Sequence, residues 1–582
     1  MLSTSNNNSN NGWILDLLLI STCLTFIYFL WIGSYPLFTP DEGRYSEIAR
    51  EMALSGDYIT PRLNGIAFLD KPILYYWLQA SAINMFGLKE WSLRFWPATI
   101  GILGTLIVYT AGRIVYNRKT GIISSVILAT TPLYFSGSHY ANLDLEVSVF
   151  ISSTLLFFLI STKTLTIKKT NLSLYLAYTF SALAFLTKGL IGIAFPIMII
   201  GSYILFTNQW KLIPKLKIIP GLIIFLCITT PWYLLAQIKN PQFFNYFFIL
   251  QQFSRYLTKA QFNNQAAVWF YIPIIVIGFF PWISFFIQSI CKQFKSLWLN
   301  NKEHRPELFI ILWFFIVLCF FSIPKSKTIG YILPVFPSMS LIVGKYISDN
   351  ITNFKRFGPT SGIYLYIISC LLISTLAFTE SKINFFHLDT SIKYYLYTGT
   401  IIFFASGLIS YLLFKLNKNI LLFSTIAITS SIFLMVFIKS AHLINMKSIK
   451  PLSLIINANI KAKDEIVTYY HYYQDLPIYT QKRINIVANW KSDRIKNRDN
   501  WKRELWYHMK YTNSSQWLIE EPELINKWGK NKRLFLLIHK KVYPVFLKNL
   551  QNSYKNNFKI FNLGSMNYNN KNTILLISNM EQ

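Results

Sequence analysis

The reading of the whole chain turns on Ile73-Leu74-Tyr75-Tyr76-Trp77-Leu78-Gln79-Ala80-Ser81-Ala82-Ile83-Asn84-Met85-Phe86-Gly87. The stretch is largely apolar, yet about 15 residues fall short of the ~17 that a helix needs to cross ~30 Å of hydrocarbon. We read it as lying in or re-entering the membrane interface. Were it a crossing, every later polar gap would change sides, so the orientation of the chain depends on it.

Outward from this stretch, longer apolar runs recur near 13–33, 92–112, 121–138, 145–162, 172–187, 190–206, 217–237, 268–290, 308–323, 329–344, 360–378, 394–414 and 419–440. They predict about thirteen membrane helices. Composition agrees: of 582 residues 53% are hydrophobic and only 14% charged, with a mean hydropathy of +0.36. One water-soluble core could not cover that much apolar surface. The net charge of +31 would elsewhere raise a nucleic-acid partner, but the basic residues sit in short gaps between apolar runs, which argues against one.

Cytoplasmic gaps should hold the Lys/Arg excess. With 73–87 kept out of the count they do: alternate gaps carry Arg113, Arg118 and Lys119, then Lys163, Lys168 and Lys169, then Lys211, Lys215 and Lys217, and so on to Lys415 and Lys418. The gaps 34–91, 139–144, 238–267, 324–328 and 379–393 then face outside, as does the tail. Residues 1–12 lack the basic start of a secretory signal, so the first run is expected to stay as a span. The five cysteines lie in or beside apolar runs and predict neither disulfides nor a thiolate metal site. No useful repeat or nucleotide-binding glycine loop is evident.

After residue 440 the chain turns polar and rich in Asn and Lys. Glu465–Tyr469, Ile484–Val487, Phe535–Ile538 and Ile574–Ile577 read as strands, and Asp499–Met509 as a possible helix. The expected organisation is a transmembrane domain over 1–440 and an outside α/β domain over 441–582.

The first outside loop contains Thr39-Pro40-Asp41-Glu42-Gly43-Arg44-Tyr45-Ser46-Glu47-Ile48-Ala49-Arg50-Glu51-Met52. Thr39 as cap, Pro40 in the first turn and Glu42 in a capping box predict a helix, with Tyr45, Ile48, Ala49 and Met52 on one stripe and Gly56 as its stop. Such a helix would lie flat on the bilayer. Asp41, in its positive first turn, would stay ionised and could orient or deprotonate an acceptor. The plainer role for Asp41 is to pair with the dipole, bridged to Arg44. A second acid, Asp144, faces the same side, with N-capping of the next helix as its plainer role. Lys71, Lys188, Arg255, Lys325 and Lys327 gather on this face against the charge bias, and a lipid-borne phosphate would explain them. Each taken singly could instead be snorkelling to headgroups.

Together these segments resemble the GT-C membrane glycosyltransferases, specifically the lipid A 4-amino-4-deoxy-L-arabinose transferase (ArnT) family, kin of protein O-mannosyltransferases. The matching residues are Asp41 to Met52, Ser55-Gly56-Asp57, Lys71-Pro72-Ile73 with Tyr76-Trp77, Leu143-Asp144, Leu186-Thr187-Lys188-Gly189, Trp269-Phe270-Tyr271, Phe280-Pro281-Trp282, Ser326-Lys327 with Tyr331 to Pro334, and Tyr472 to Pro477. They run in order from near residue 35 to about 490.

The resemblance implies thirteen spans, a periplasmic C-terminal domain, and transfer of a sugar from undecaprenyl phosphate to lipid A at the periplasmic face of a bacterial inner membrane. It makes Asp41 and Asp144 the acids at the reaction centre, and Arg44, Lys71, Lys188, Arg255, Lys325, Lys327 and Tyr331 the phosphate contacts or their supports. Two departures stand out: Asp70-Lys71-Pro72 replaces Glu-Lys-Pro, and Gln251-Gln252-Phe253-Ser254-Arg255 replaces a Glu-His-x-x-Arg run. A histidine expected shortly before Trp269 is also replaced, by Asn264 or a neighbour. The Glu/His metal site of that subgroup would lose its imidazole here, so no zinc and no cofactor are expected, with Asp70 the weak candidate ligand for a divalent ion. Two other functions compete: transfer of a neutral hexose to protein or another glycan, and lipid or sugar transport. The odd span count and the lack of a repeat weigh against transport.

Overall fold

The computed structural model describes the chain apart from residues 1–5, 165, 255–264, 300–305, 353–356, 384–389, 445–446, 493, 496–499, 556, 569–571 and 582. Arg255 and Asn264 therefore lie outside the described residues. Two compact units emerge, one from Met1–Ile32, Arg94–Leu234 and Asn264–Ala441, the other from Gly33–Leu93, Leu235–Asn263 and His442–Gln582.

The first unit is helical and holds the apolar runs; the chain is a multi-pass membrane protein. Among the described residues, eight helices are long and apolar enough to cross a membrane, or ten if each of two bent pairs is one span. The other expected runs fall on Ile167–Lys188, which opens with two lysines, and on the shorter apolar helices Ile191–Thr207 and Pro306–Ser322.

Two runs read as continuous from the sequence are broken. Arg118–Ala129 and Pro132–Ser138 meet at 69°, and Val268–Gly278 and Ile283–Phe294 at 114°. Proline explains both sites. Pro132 starts a new helix after Thr131 has gone extended, and Pro281 lies in the second break. Neither ring can donate the hydrogen bond that would carry the helix through.

One charge inside this unit is well paired. Asp16, in the first span, accepts hydrogen bonds from Arg118 at 2.6 and 2.8 Å, from Arg113 at 2.6 Å and from Tyr109 at 2.7 Å. It ties the first helix to the helices Phe95–Val115 and Arg118–Ala129. Gly112 packs against Gly121, where an added Cβ would sit 2.9 Å from the facing Cα.

The second unit joins three segments that the charge pattern puts on one side. It opens with the helix Asp41–Ser55, a small antiparallel pair β1 (Arg62–Leu63) and β2 (Ile66–Ala67), and the helix Leu74–Phe86. At 13 residues, about 20 Å of helix, that last element is too short to cross. The tail builds a six-stranded sheet from β3 (Glu465–Tyr469), β4 (Asn485–Val487), β5 (Leu518–Ile519), β6 (Leu534–His539), β7 (Phe561–Tyr568) and β8 (Asn572–Ser578), in the order β5-β4-β3-β6-β8-β7. The β5-β4-β3-β6 part is parallel; β6-β8-β7 is antiparallel. Val467, Leu536 and Ile538 pack there with Trp528, Phe546 and Leu550 of the flanking helices.

The first loop is built into this tail. Asn64 accepts from the Ile484 amide and donates to the Ile484 carbonyl, both at 2.9 Å, and Trp517 Nε1 donates to the Asn64 carbonyl at 2.9 Å. The helix Asp41–Ser55 therefore does not lie bare on a bilayer. Glu42, Gly43, Ser46, Glu47 and Arg50 are buried along with Tyr45, Ile48, Ala49 and Met52. Glu47 and Arg50 meet the cost of that burial by a two-pronged pair at 2.7 Å.

Candidate active site

In the first unit, the site residues meet where helices end. Asn142 caps the helix Leu143–Ser161, its Oδ1 accepting from the Asp144 amide at 3.1 Å. Capping, the plainer role considered for Asp144, thus belongs to Asn142. The Asp144 carboxylate instead accepts from the Lys188 ammonium, both side chains mostly buried at 16% and 12% exposure. Lys188 is the last residue of Ile167–Lys188, where the carbonyl end of the helix favours a cation.

The Tyr331 ring centroid lies 4.2 Å from the same ammonium, close enough for a cation–π contact. Gly330 lies against the acid: a Cβ there would stand 2.2 Å from Asp144 Oδ2. Glycine is needed at that position for lack of space. Nearby, Tyr271 donates to the Thr328 carbonyl at 3.2 Å, and Ala266 N to the Lys325 carbonyl at 3.0 Å. Lys325 is exposed. Lys327 is buried and donates to the carbonyls of Ala266 and Pro324; burial lowers its pKa. Its ammonium fastens the loop to these two carbonyls.

A largely apolar cavity of about 450 Å³ opens beside the helix that ends in Lys188, with Leu174, Ala177, Tyr178 and Ser181 in its wall together with Ile197 and Phe225. At 1.5 Å per residue, that wall lies about 10 to 21 Å back from Lys188 along the axis.

In the second unit, the helix starts at Asp41 after Pro40, with no side-chain cap. The expected capping box is altered: Thr39 Oγ1 donates to the Lys447 carbonyl at 3.0 Å, and Glu42 Oε2 accepts from Phe38 N at 2.7 Å. Gly56 ends the helix in the left-handed region at φ 69°, as expected of glycine there. Asp41 does pair with Arg44, at 2.9 Å. Arg44 also donates to Glu504, at 2.6 Å. Burial opposes its charge, but the Glu504 and Asp41 carboxylates overcome this and raise its pKa.

Lys71 donates to the Asp70 carbonyl at 3.3 Å. The buried Asp70 carboxylate accepts from the Tyr246 hydroxyl, and Gln251 Nε2 donates to that hydroxyl oxygen at 3.0 Å. Tyr246 and Gln251 belong to the π-helical segment Asn245–Ser254, a geometry often found at functional sites. A phenol and an amide attend Asp70, and among the described residues no three His, Cys, Asp or Glu side chains gather as an ion would require.

The structure thus brings Asp144, Lys188 and Tyr331 together in one unit, and Asp41 and Arg44 in the other. Sequence reasoning missed Asn142, Gly330, Tyr246 and Glu504. An Asn-x-Asp pair before an apolar run was the available signal for Asn142; the others depend on contacts between distant segments.

This helix plan is the GT-C fold of polytopic membrane glycosyltransferases. Crystal structures of ArnT from Cupriavidus metallidurans, bound to undecaprenyl phosphate and in the apo state, share it with TM-scores of 0.82 and 0.79, at 22% identity and 98% coverage of both chains. A dolichyl-phosphate-mannose-protein mannosyltransferase profile matches residues 14–247. The undecaprenyl phosphate-alpha-4-amino-4-deoxy-L-arabinose arabinosyl transferase of Yersinia enterocolitica is 30% identical over 57% of this chain and 59% of its own length. A Proteus mirabilis protein of the same description is 28% identical over 70% and 73%. The chain is thus similar in fold to ArnT and in sequence to its arabinosyl transferase relatives, and it spans about three-fifths of the length of the Yersinia protein.

Proposed function

We propose that this chain is a glycosyltransferase that takes an aminosugar from undecaprenyl phosphate and attaches it to lipid A at the periplasmic face of the inner membrane. The observation that carries the proposal is the mostly buried Lys188, paired with Asp144 and backed by an apolar cavity along its own helix. That combination suits a ligand with an anionic head and a long apolar tail, which describes a polyprenyl phosphate. The relatives' names and the undecaprenyl phosphate bound by the Cupriavidus protein support the same donor.

The chemistry follows from the charges. Breaking the bond between the sugar and the carrier leaves extra negative charge on the carrier phosphate, and a fixed cation stabilises that leaving group. Lys188 would serve here, with Lys71, Arg44 and Arg255 as further contacts or supports and Tyr331 and Lys327 holding their surroundings. Asp144 keeps Lys188 in place until a phosphate competes for it. A lipid A phosphate is already anionic, so Asp41 would orient the donor sugar or its amine. The mannosyltransferase profile favours one sister reading, in which a hexose passes to a protein hydroxyl and Asp41 acts as general base.

Mass spectrometry of lipid A from cells with and without the intact gene tests the proposal. The gene should add the sugar mass, and Asp41→Asn or Lys71→Ala should abolish it while the protein still inserts. Lipid A that is identical in all strains, with a glycoprotein altered instead, would replace the first reading by the second.

A further inference from the structure

We propose that the helix Trp501–Met509 is a positioning element for the first-loop site: Glu504 holds Arg44, and through it Asp41, while Tyr507 and His508 clamp the tyrosine that binds Asp70. The helix lies beyond residue 490, where the recognisable motifs end. The inference deepens the transfer reading and rests on it for its kinetic test alone.

Spacing makes the arrangement possible. Glu504, Tyr507 and His508 stand at i, i+3 and i+4 and so share one helix face. Asn500 sets the start of the helix, its Oδ1 accepting from Lys502 N at 3.0 Å and Arg503 N at 3.3 Å. From this face Glu504 accepts from Arg44 at 2.6 Å, while the rings of Tyr507 and His508 lie 4.5 and 4.3 Å from that of Tyr246. One short helix therefore reaches both the Asp41–Arg44 pair and the Asp70–Tyr246–Gln251 chain.

The two carboxylates on Arg44 are not equivalent. Glu504 is 15% exposed and Asp41 37%. Glu504 is the anchored partner, and by neutralising much of the Arg44 charge it leaves Asp41 less tightly bound to its own helix. His508 is fully buried with both ring nitrogens lacking a hydrogen-bond partner. A core position would be filled at lower cost by an apolar ring, so a histidine here points to the site. Burial lowers its pKa to about 4, which keeps the ring neutral at pH 7. Glu504 then supplies the charge on this face.

The test compares the full-length protein with Glu504→Gln, Glu504→Asp and His508→Ala, with the exposed Glu523→Gln as control. Two readouts are taken: kcat and KM for sugar transfer, and the modification of Arg44 by phenylglyoxal, measured by mass spectrometry. Misplacing a reacting group costs rate, so Glu504→Gln should lower kcat at least about tenfold with donor KM within about twofold, and Glu504→Asp should recover most of it. Arg44 modification should rise several-fold in Glu504→Gln and stay at the wild-type level in the control. If Glu504→Gln fails to accumulate, His508→Ala carries the test, with the same fall in kcat expected. Wild-type kcat and wild-type Arg44 reactivity in the variants overturn the proposal. A wild-type protein without any transfer refutes the proposed function instead, and Arg44 reactivity still decides the positioning role.

Discussion

Lys188 and Asp144, 44 residues apart, close an ion pair between the last residue of one helix and the first turn of another. Each side chain is at least four-fifths buried, so removing one partner strands the other's charge. Lys188→Ala and Asp144→Asn should each lower the melting temperature of the detergent-purified protein. The double variant should regain part of that loss, because no lone charge remains. Activity should not follow stability: Lys188→Ala and the double variant should both lose transfer by about a hundredfold or more, the scale of a lost charge-stabilising donor. Differential scanning fluorimetry and a transfer assay on the same samples check this.

Gly330 offers a test of site geometry without touching a charge. A methyl group at this residue would stand 2.2 Å from Asp144 Oδ2, far inside contact distance. Gly330→Ala should displace the carboxylate or its own backbone turn, costing about 1 to 3 kcal/mol as overpacking does. Transfer should fall along with it, by about tenfold or more at saturating donor. Wild-type kcat in this variant would show that the Asp144 position is not critical.

Much of this architecture was legible in the sequence because lengths and charges leave few options. A 13-residue helix cannot cross, and the outside-assigned segments 34–91, 238–267 and the tail supply the second unit almost entire. Strands β3, β4, β6 and β8 showed as β-branched or apolar runs. β5, Leu518–Ile519, is apolar but too short to stand out as a run, and β7 is the edge strand Phe561–Tyr568, where Asn, Gly and Ser interrupt the hydrophobic pattern. Within the site, residue type alone could not choose Asn142 over Asp144 as cap, since both are favoured. The Asn64–Ile484 and Arg44–Glu504 contacts span 420 and 460 residues and leave no local trace.

Asp475 should make stability depend on pH. Its carboxylate is buried and accepts from Ser448 Oγ at 2.8 Å and Ile449 N at 2.9 Å. Burial outweighs those donors and raises its pKa from 3.8 to about 7. The folded state then holds a proton that the unfolded state has lost. The contribution to stability is full below about pH 4 and is lost as pH rises through about 7. Asp475→Asn should flatten this slope: its melting temperature should gain on the wild type between pH 5 and pH 8, as thermal melts across that range would register.

Reconstitution decides whether Lys188 serves sugar transfer to lipid A. The purified protein is placed in vesicles with lipid A and an undecaprenyl-phosphate aminosugar, and lipid A is followed by mass spectrometry. Wild-type protein should add one sugar mass with time and release undecaprenyl phosphate, and Lys188→Ala should yield neither product. Lipid A left unmodified by active-folded wild-type protein, or modified equally well by Lys188→Ala, would contradict it.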